Sequence, residues 1–532
     1  MDVHKLGRYI KGGSFGLSDN GYAIILSVIF LAFSAILAWH HEMWQDEMQA
    51  WLIARDSSSL IQLLKNLKYE GHPGLWHLCL YVLKFITRSP IIMQVFHLMI
   101  AGATVYTFSR FSPFTKLQKA LFAFGYLSFY EYAIICRNYA IGVFLLFLFC
   151  ALFPKWRERP LLAGFILLLL AHTSVHALIV TISIGLALVL NCLLIRRENL
   201  TTEKRREVKR GTYYLNRAKI GIGFSLILLG SITSAILMKP PPDSGFAVGW
   251  KTDFALDYLL NVIRVIPNAF FPIPQFTFHF WGSNLLDRLP ASSVVKLVLS
   301  GLILIFAILL LRRSLTALLT YLSGTIGLLA FFYTKYFGSI RHHGFLFMLF
   351  IASVWISCSS DAKPLSGSLS RFSLLIERHR SKVLTAILVT QLVGGVAAAS
   401  MDYMYPFSQG RTTARFIRER KMDDMVMVGD ASSEASTVVG YSGKKECYYP
   451  EGHRFGSFVK WDKEWAKRSS SEDTLQEARR LADLNKQDIL ILLNYPLEAD
   501  AISRYSLREI ARFEKAIYGS EEYYLYCQPK GN

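Results

Sequence analysis

Leu75-Trp-His-Leu-Cys-Leu-Tyr-Val-Leu-Lys-Phe-Ile-Thr87 is apolar enough to enter a bilayer and too short to cross one. A spanning helix needs about 20 apolar residues. This run also carries His77 and Lys84. Whether it crosses fixes the side on which everything before it lies. Eleven other apolar runs surround it: 22–40, 91–109, 117–134, 138–153, 161–172, 176–195, 219–238, 292–311, 314–333, 341–358 and 383–400. Basic loops are retained in the cytoplasm. The most basic stretch, 196–219, therefore belongs inside. So do Lys155–Arg159, Arg312 and Arg313, the 359–382 loop, and the N-terminus with Lys5, Arg8 and Lys11. Counting back from 155–159 puts Arg137 outside, 110–119 inside and residue 90 outside. Counting forward from the N-terminus puts 41–72 outside. The two counts agree only if 75–87 does not cross, so it reads as an amphipathic helix lying on the outer face.

Composition supports a membrane protein. Of 532 residues, 52% are hydrophobic and only 18% charged, so much of the chain needs a bilayer as its solvent. The net charge of +19 would suit a nucleic-acid binder, but the basic residues cluster between apolar runs, so nucleic acid is excluded as a partner. Seven cysteines make no disulfide framework. The first apolar run lacks a small-residue cleavage site and passes into Trp39-His40-His41, so it is an anchor rather than a cleaved signal. The expected fold is mainly α: a polytopic protein of the cytoplasmic (inner) membrane with about eleven transmembrane helices. Its N-terminus is cytoplasmic. Residues 1–400 form the membrane domain, with outer loops 41–90 and 239–291. Residues 401–532 form a soluble α/β domain on the periplasmic or extracellular side.

That tail alternates strand and helix patterns. Residues 424–430, 488–494 and 521–527 read as strands, and 431–441 and 471–486 as helices, which suggests a parallel core. No glycine-rich nucleotide fingerprint accompanies them. Cys447 and Cys527 both lie here, and an oxidising compartment would permit them to pair.

Chemistry concentrates after the first span. Asp46 and Glu47 stand between Trp44 and Trp51, near an apolar boundary where a carboxylate's reactivity is readily tuned. The competing reading is helix capping, which is also the expectation for Asp56 before Ser57-Ser58-Ser59. A leaving phosphodiester would need cations or donors. Arg137 and Arg341-His342-His343, each at the mouth of a span, are candidates, as is His72. Lys335 reads as a headgroup anchor. Adjacent His342 and His343 project poorly onto one ion, and His172 and His176 read as polar residues of a short turn, so no metal site is assigned. The aromatic loop Phe270–Trp281 reads as an interfacial belt, with a lid or prenyl slot as its functional alternative. No HExxH, Walker A, paired CxxC or GxSxG motif occurs.

The Asp46-Glu47 pair, followed by Glu70-Gly-His-Pro-Gly-Leu-Trp76, resembles the first-loop motifs of the GT-C superfamily of membrane glycosyltransferases. The nearer likeness is to glycosyltransferase family 39, the protein O-mannosyltransferases and lipid A aminoarabinose transferases. Motif order agrees over roughly residues 20–200, while Gly74 departs from the more usual Pro-Pro-Leu. The resemblance implies transfer of a sugar, with inversion, from a polyprenyl-phosphate donor to a glycan, lipid or protein acceptor on the outer side. It implies Asp46 as base, with Glu47 orienting the acceptor or sharing its proton. His72, Arg137, Arg341 and His342 would bind the donor phosphate. No cofactor is called for, and a divalent metal stays open. A non-enzymatic transporter or flippase of lipid-linked sugars is the rival class. It would show charges at mid-membrane and repeated halves.

Overall fold

The computed structural model describes residues 18–201, 210–245, 249–360, 370–465 and 469–531. Lys5, Arg8 and Lys11, residues 202–209 of the basic stretch and residues 361–369 lie outside the described residues. The first helices are α1 (Asp19–His40), α2 (Gln45–Asp56), α3 (Leu60–Leu67), α4 (Leu75–Leu83), α5 (Ile91–Phe111) and α6 (Lys116–Ala123). A π-helical segment, Tyr126–Ile134, follows. Then come α7 (Tyr139–Leu152), α8 (Pro160–Ala171), α9 (Val175–Thr201), α10 (Arg210–Met238), α11 (Leu256–Ile263), α12 (Ile266–Phe270), α13 (Ser292–Leu311), α14 (Leu315–Thr334), α15 (Ile340–Cys358) and α16 (Ser370–Met404).

Among the described residues, eight helices are long and apolar enough to cross a bilayer: α1, α5, α9, α10 and α13–α16. Three of the eleven expected spans fall short. Helices α7 and α8 have 14 and 12 residues. The expected 117–134 span breaks after α6, where Gly125 turns extended with φ −70° and ψ 155°. Helices α8 and α10 approach so closely that a Cβ on Gly164 would meet the Gly223 carbonyl oxygen at 2.5 Å. Such small-residue contacts let apolar helices pack without a hydrophobic driving force.

Run 75–87 forms only the nine-residue α4, about 14 Å long at the usual helical rise and half a spanning length. Trp76, His77 and Leu80 are buried, while Leu78, Val82, Phe85 and Ile86 are exposed. This is the two-faced pattern expected of a helix lying along an interface.

The expected grouping of loops is visible in the contacts. At one end, the Leu75 N–H donates to the His172 carbonyl, Asn138 Nδ2 to the Thr173 carbonyl, Tyr69 to Asp243, and the Lys251 N–H to the Thr334 carbonyl. At the other end, Tyr22 meets Lys116, Arg157 meets Asn191, Arg313 meets Glu377, and Gln118 meets Ser381. Asp56 is not the cap expected of it: Ser59 caps α3, while Asp56 accepts from Arg55, Arg88 and Ser457.

The C-terminal α/β domain adds α17 (Gly410–Glu419), β1 (Met427–Gly429), α18 (Ser432–Ser442), β2 (Cys447–Tyr449), β3 (Arg454–Gly456), α19 (Ser471–Asn485), β4 (Ile489–Leu493), α20 (Ala499–Arg504), β5 (Arg508–Phe513) and β6 (Tyr523–Gln528). The sheet order is β3-β2-β1-β4-β6-β5. β1 pairs parallel with β2 and β4, giving the expected parallel core, but β3, β5 and β6 pair antiparallel. Cys447 on β2 and Cys527 on β6 are free. Two strands separate theirs, about 14 Å at the usual strand spacing, beyond the reach of a disulfide.

Candidate active site

Helix α2 lies between the bundle and the C-terminal domain. Its N-terminal N–H groups need partners, and two glutamates supply them. Gln45 N–H donates to Glu521 Oε1, and Trp44 N–H to Glu47 Oε2 at 3.1 Å. The capping reading of Glu47 is therefore realised. Its side chain is fully buried, and Oε1 accepts the Cys136 N–H while Oε2 also meets His41 Nε2 at 3.1 Å. The other nitrogen of His41, Nδ1, lies 2.8 Å from Asp402 Oδ2, and all three side chains are fully buried. Burial opposes charge on His41, but Asp402 and Glu47 outweigh it and push its pKa up to about 10.

Asp46, one residue earlier, points elsewhere. Its side chain is one-third exposed, and Oδ2 meets Arg137 Nη1 at 2.8 Å and Arg341 Nη2 at 3.2 Å. Burial raises the pKa of Asp46, but Arg137 and Arg341 overcome this and hold it below the usual carboxylate value. The Arg341 guanidinium lies over Trp44 and Trp281, 5.1 and 5.4 Å from the ring centroids. The aromatic loop thus contributes a wall to the site. The same electrostatic neighbourhood takes in His72, which burial and Arg137 push down to about 4, so it is neutral at physiological pH. Glu70 is pushed up to about 7, chiefly by burial, and its Oε1 accepts from Gln49 Nε2 at 2.9 Å.

The fold thus gathers Asp46, His72, Arg137 and Arg341. Glu47 points instead into the fully buried contact with His41 and Cys136. His342 caps the start of α15: its Nδ1 accepts the Ser339 N–H at 2.8 Å. Sequence reasoning placed Glu70 in a motif and Trp281 in an aromatic loop without assigning either a role beside Asp46, and it gave no sign of the His41–Asp402 contact. It also missed a pocket of about 490 Å³ whose lining includes Arg264, Lys296, Asn261, Asn268 and Ser292. The signal for that pocket was Lys296, a charge inside an otherwise apolar run. Among the described residues, no group of three or more His, Cys, Asp or Glu side chains is placed to hold a metal ion.

No family model matches the chain, and no curated protein matches it. Among solved structures, it is similar to the crystal structure of ArnT from Cupriavidus metallidurans bound to undecaprenyl phosphate. The TM-score is 0.51 and the identity 10%, over 96% of this chain and 98% of that one. At this identity the likeness is one of fold. That likeness of fold runs along nearly the whole chain.

Proposed function

We propose that the protein is a glycosyltransferase using a polyprenyl-phosphate sugar donor, with its active site on the outer face of the cytoplasmic membrane. The supporting observation is Asp46 held between two arginines, 11% and 13% exposed, where the loops of one bundle end converge. In the reaction the acceptor hydroxyl gives its proton to Asp46, and its oxygen bonds to the anomeric carbon. The bond from that carbon to the phosphate oxygen breaks on the opposite face, with inversion. The polyprenyl phosphate leaves with the electron pair, and its charge is met by Arg137 and Arg341.

With both arginines on Oδ2, Asp46 is a poor base. A donor phosphate competing for them would relieve that suppression and couple donor binding to base strength. Glu47 is then a positioning residue that holds α2 in place. The ArnT-like architecture favours transfer over the flippase alternative.

Arg341→Ala should weaken undecaprenyl phosphate binding about tenfold to a hundredfold, the usual worth of a charge-assisted contact. Arg341→Lys should recover only part, because the planar fork is lost. Arg137→Ala should behave alike. Lys335, whose ammonium lies 5.2 Å from the Trp250 ring centroid, is the control and should matter little on replacement by Ala. Titrating undecaprenyl phosphate against these variants in nanodiscs checks this, and equal affinity for wild type and Arg341→Ala would remove Arg341 from the site.

Sidedness has its own check. A cysteine replacing exposed Lys445, in a background lacking Cys79, Cys192 and Cys358, should react with an impermeant maleimide in spheroplasts. Protection there would put the C-terminal domain and Asp46 on the cytoplasmic side.

A further inference from the structure

Beside the arginines lie three buried polar side chains, two of which have no hydrogen-bond partner among the described residues. Tyr139 is the first residue of α7, His176 the second of α9 and His342 the third of α15. Their exposures are 1%, 2% and 5%. The Tyr139 and His342 ring centroids are 5.6 Å apart, His176 and His342 5.2 Å, and Tyr139 and His176 6.1 Å. Among the described residues, neither the Tyr139 hydroxyl nor either nitrogen of His176 has a hydrogen-bond partner. On His342, Nδ1 accepts from Ser339, so the neutral ring carries its proton on Nε2. Leaving such groups unmet costs about 1–3 kcal/mol each, and native structures rarely tolerate it without a ligand, water or catalytic use.

Position shows what the cluster serves. Tyr139 is two residues past Arg137, and His342 directly follows Arg341. Tyr139 also lies within the electrostatic reach of Asp46 and both arginines. A phosphate held by those arginines would therefore carry its sugar next to these three rings. The Tyr139 hydroxyl and the His176 ring both donate and accept, and His342 offers its Nε2–H, which matches sugar hydroxyls; the ring surfaces are faces against which C–H groups pack. They offer no carboxylate, and the one nearby, Asp46, is already engaged by Arg137 and Arg341. An ammonium-bearing sugar would lose its hydration there without gaining an anionic partner.

We propose that Tyr139, His176 and His342 form the subsite for the donor's sugar ring and select an uncharged, hydroxyl-bearing sugar over an amino sugar. This rests on the glycosyltransferase reading and adds the substrate class to it.

The test uses the full chain in nanodiscs. Binding of bare undecaprenyl phosphate is compared with that of the same lipid carrying glucose, mannose, galactose, arabinose or 4-amino-4-deoxyarabinose. In the wild type, at least one neutral sugar should tighten binding about tenfold, equivalent to one or two hydrogen bonds. The amino sugar should bring no gain. Tyr139→Phe and His176→Phe keep ring and fold, as a thermal melt would verify. They should shrink the gain to within about threefold while bare-carrier affinity stays at the wild-type value. A gain that survives both substitutions, no gain from any neutral sugar, or the largest gain from the amino sugar would each overturn the proposal. Failure of the bare carrier to bind the wild type would overturn the glycosyltransferase reading, and the subsite with it.

Discussion

Asp46→Asn is expected to lower turnover by about 10²–10⁴-fold, the usual loss when a general base is removed. The substitution keeps size and takes away the charge. Arg137 and Arg341 then lose the anion they share, at 2.8 and 3.2 Å. Two effects should part company. Transfer fails because the acceptor proton has no destination. Affinity for undecaprenyl phosphate holds or rises, because the arginines have only the phosphate left to meet. Steady-state transfer beside a lipid-phosphate titration separates the two. Near-normal turnover would mean that Asp46 serves only to hold the arginines. Glu47→Gln should lower turnover less, since its carboxylate touches no open space.

The second large effect is expected at His41, which sits between two fully buried carboxylates. Removing one partner of a buried ionic group typically costs about 3–5 kcal/mol, because the remaining charges are left uncompensated. His41→Leu should therefore melt well below the wild type. Asp402→Asn, which keeps a hydrogen-bond acceptor for His41, should lose less. The pH dependence has a definite sign. The pKa of His41 is raised from 6.5 to about 10 by its carboxylate partners, against the effect of burial. Its contribution to stability is therefore complete below about pH 6.5 and disappears as pH climbs through about 10. Melts of purified protein between pH 7 and 11 should show this loss, and His41→Leu should flatten it. A wild-type melting temperature in His41→Leu would sink the idea.

Much of the architecture was legible because bilayer physics is strict. Runs of apolar residues and the placement of Lys and Arg sorted the loops into two groups, and Asp46, Arg137 and Arg341 meet as that sorting requires. The shortfalls have local causes. Consecutive residues of a helix point about 100° apart, so Asp46 and Glu47 had to face different surroundings. Treating them as a pair overlooked this. That His342 also caps α15 could not be read beforehand, because the capping role of a third-position side chain is visible only once the helix start is fixed. Strands β2 and β3, three residues each, fall below what alternation can reveal. In β5, Arg508, Glu509 and Arg512 hide the pattern. The His41–Asp402 contact joins positions 361 residues apart, and no local signal announces it.

That separation has a consequence for biosynthesis. Helix α2 obtains its fixings from Asp402, through His41, and from Glu521, both hundreds of residues further along the chain. At about 5–20 residues per second, ribosomes deliver Asp402 some 20–70 s after His41. During that interval the nascent bundle holds Asp46 on a helix lacking its far supports. Segments as distant as Glu521 complete the supports of α2, so chains terminated before them would carry Asp46 on a helix without its far fixings.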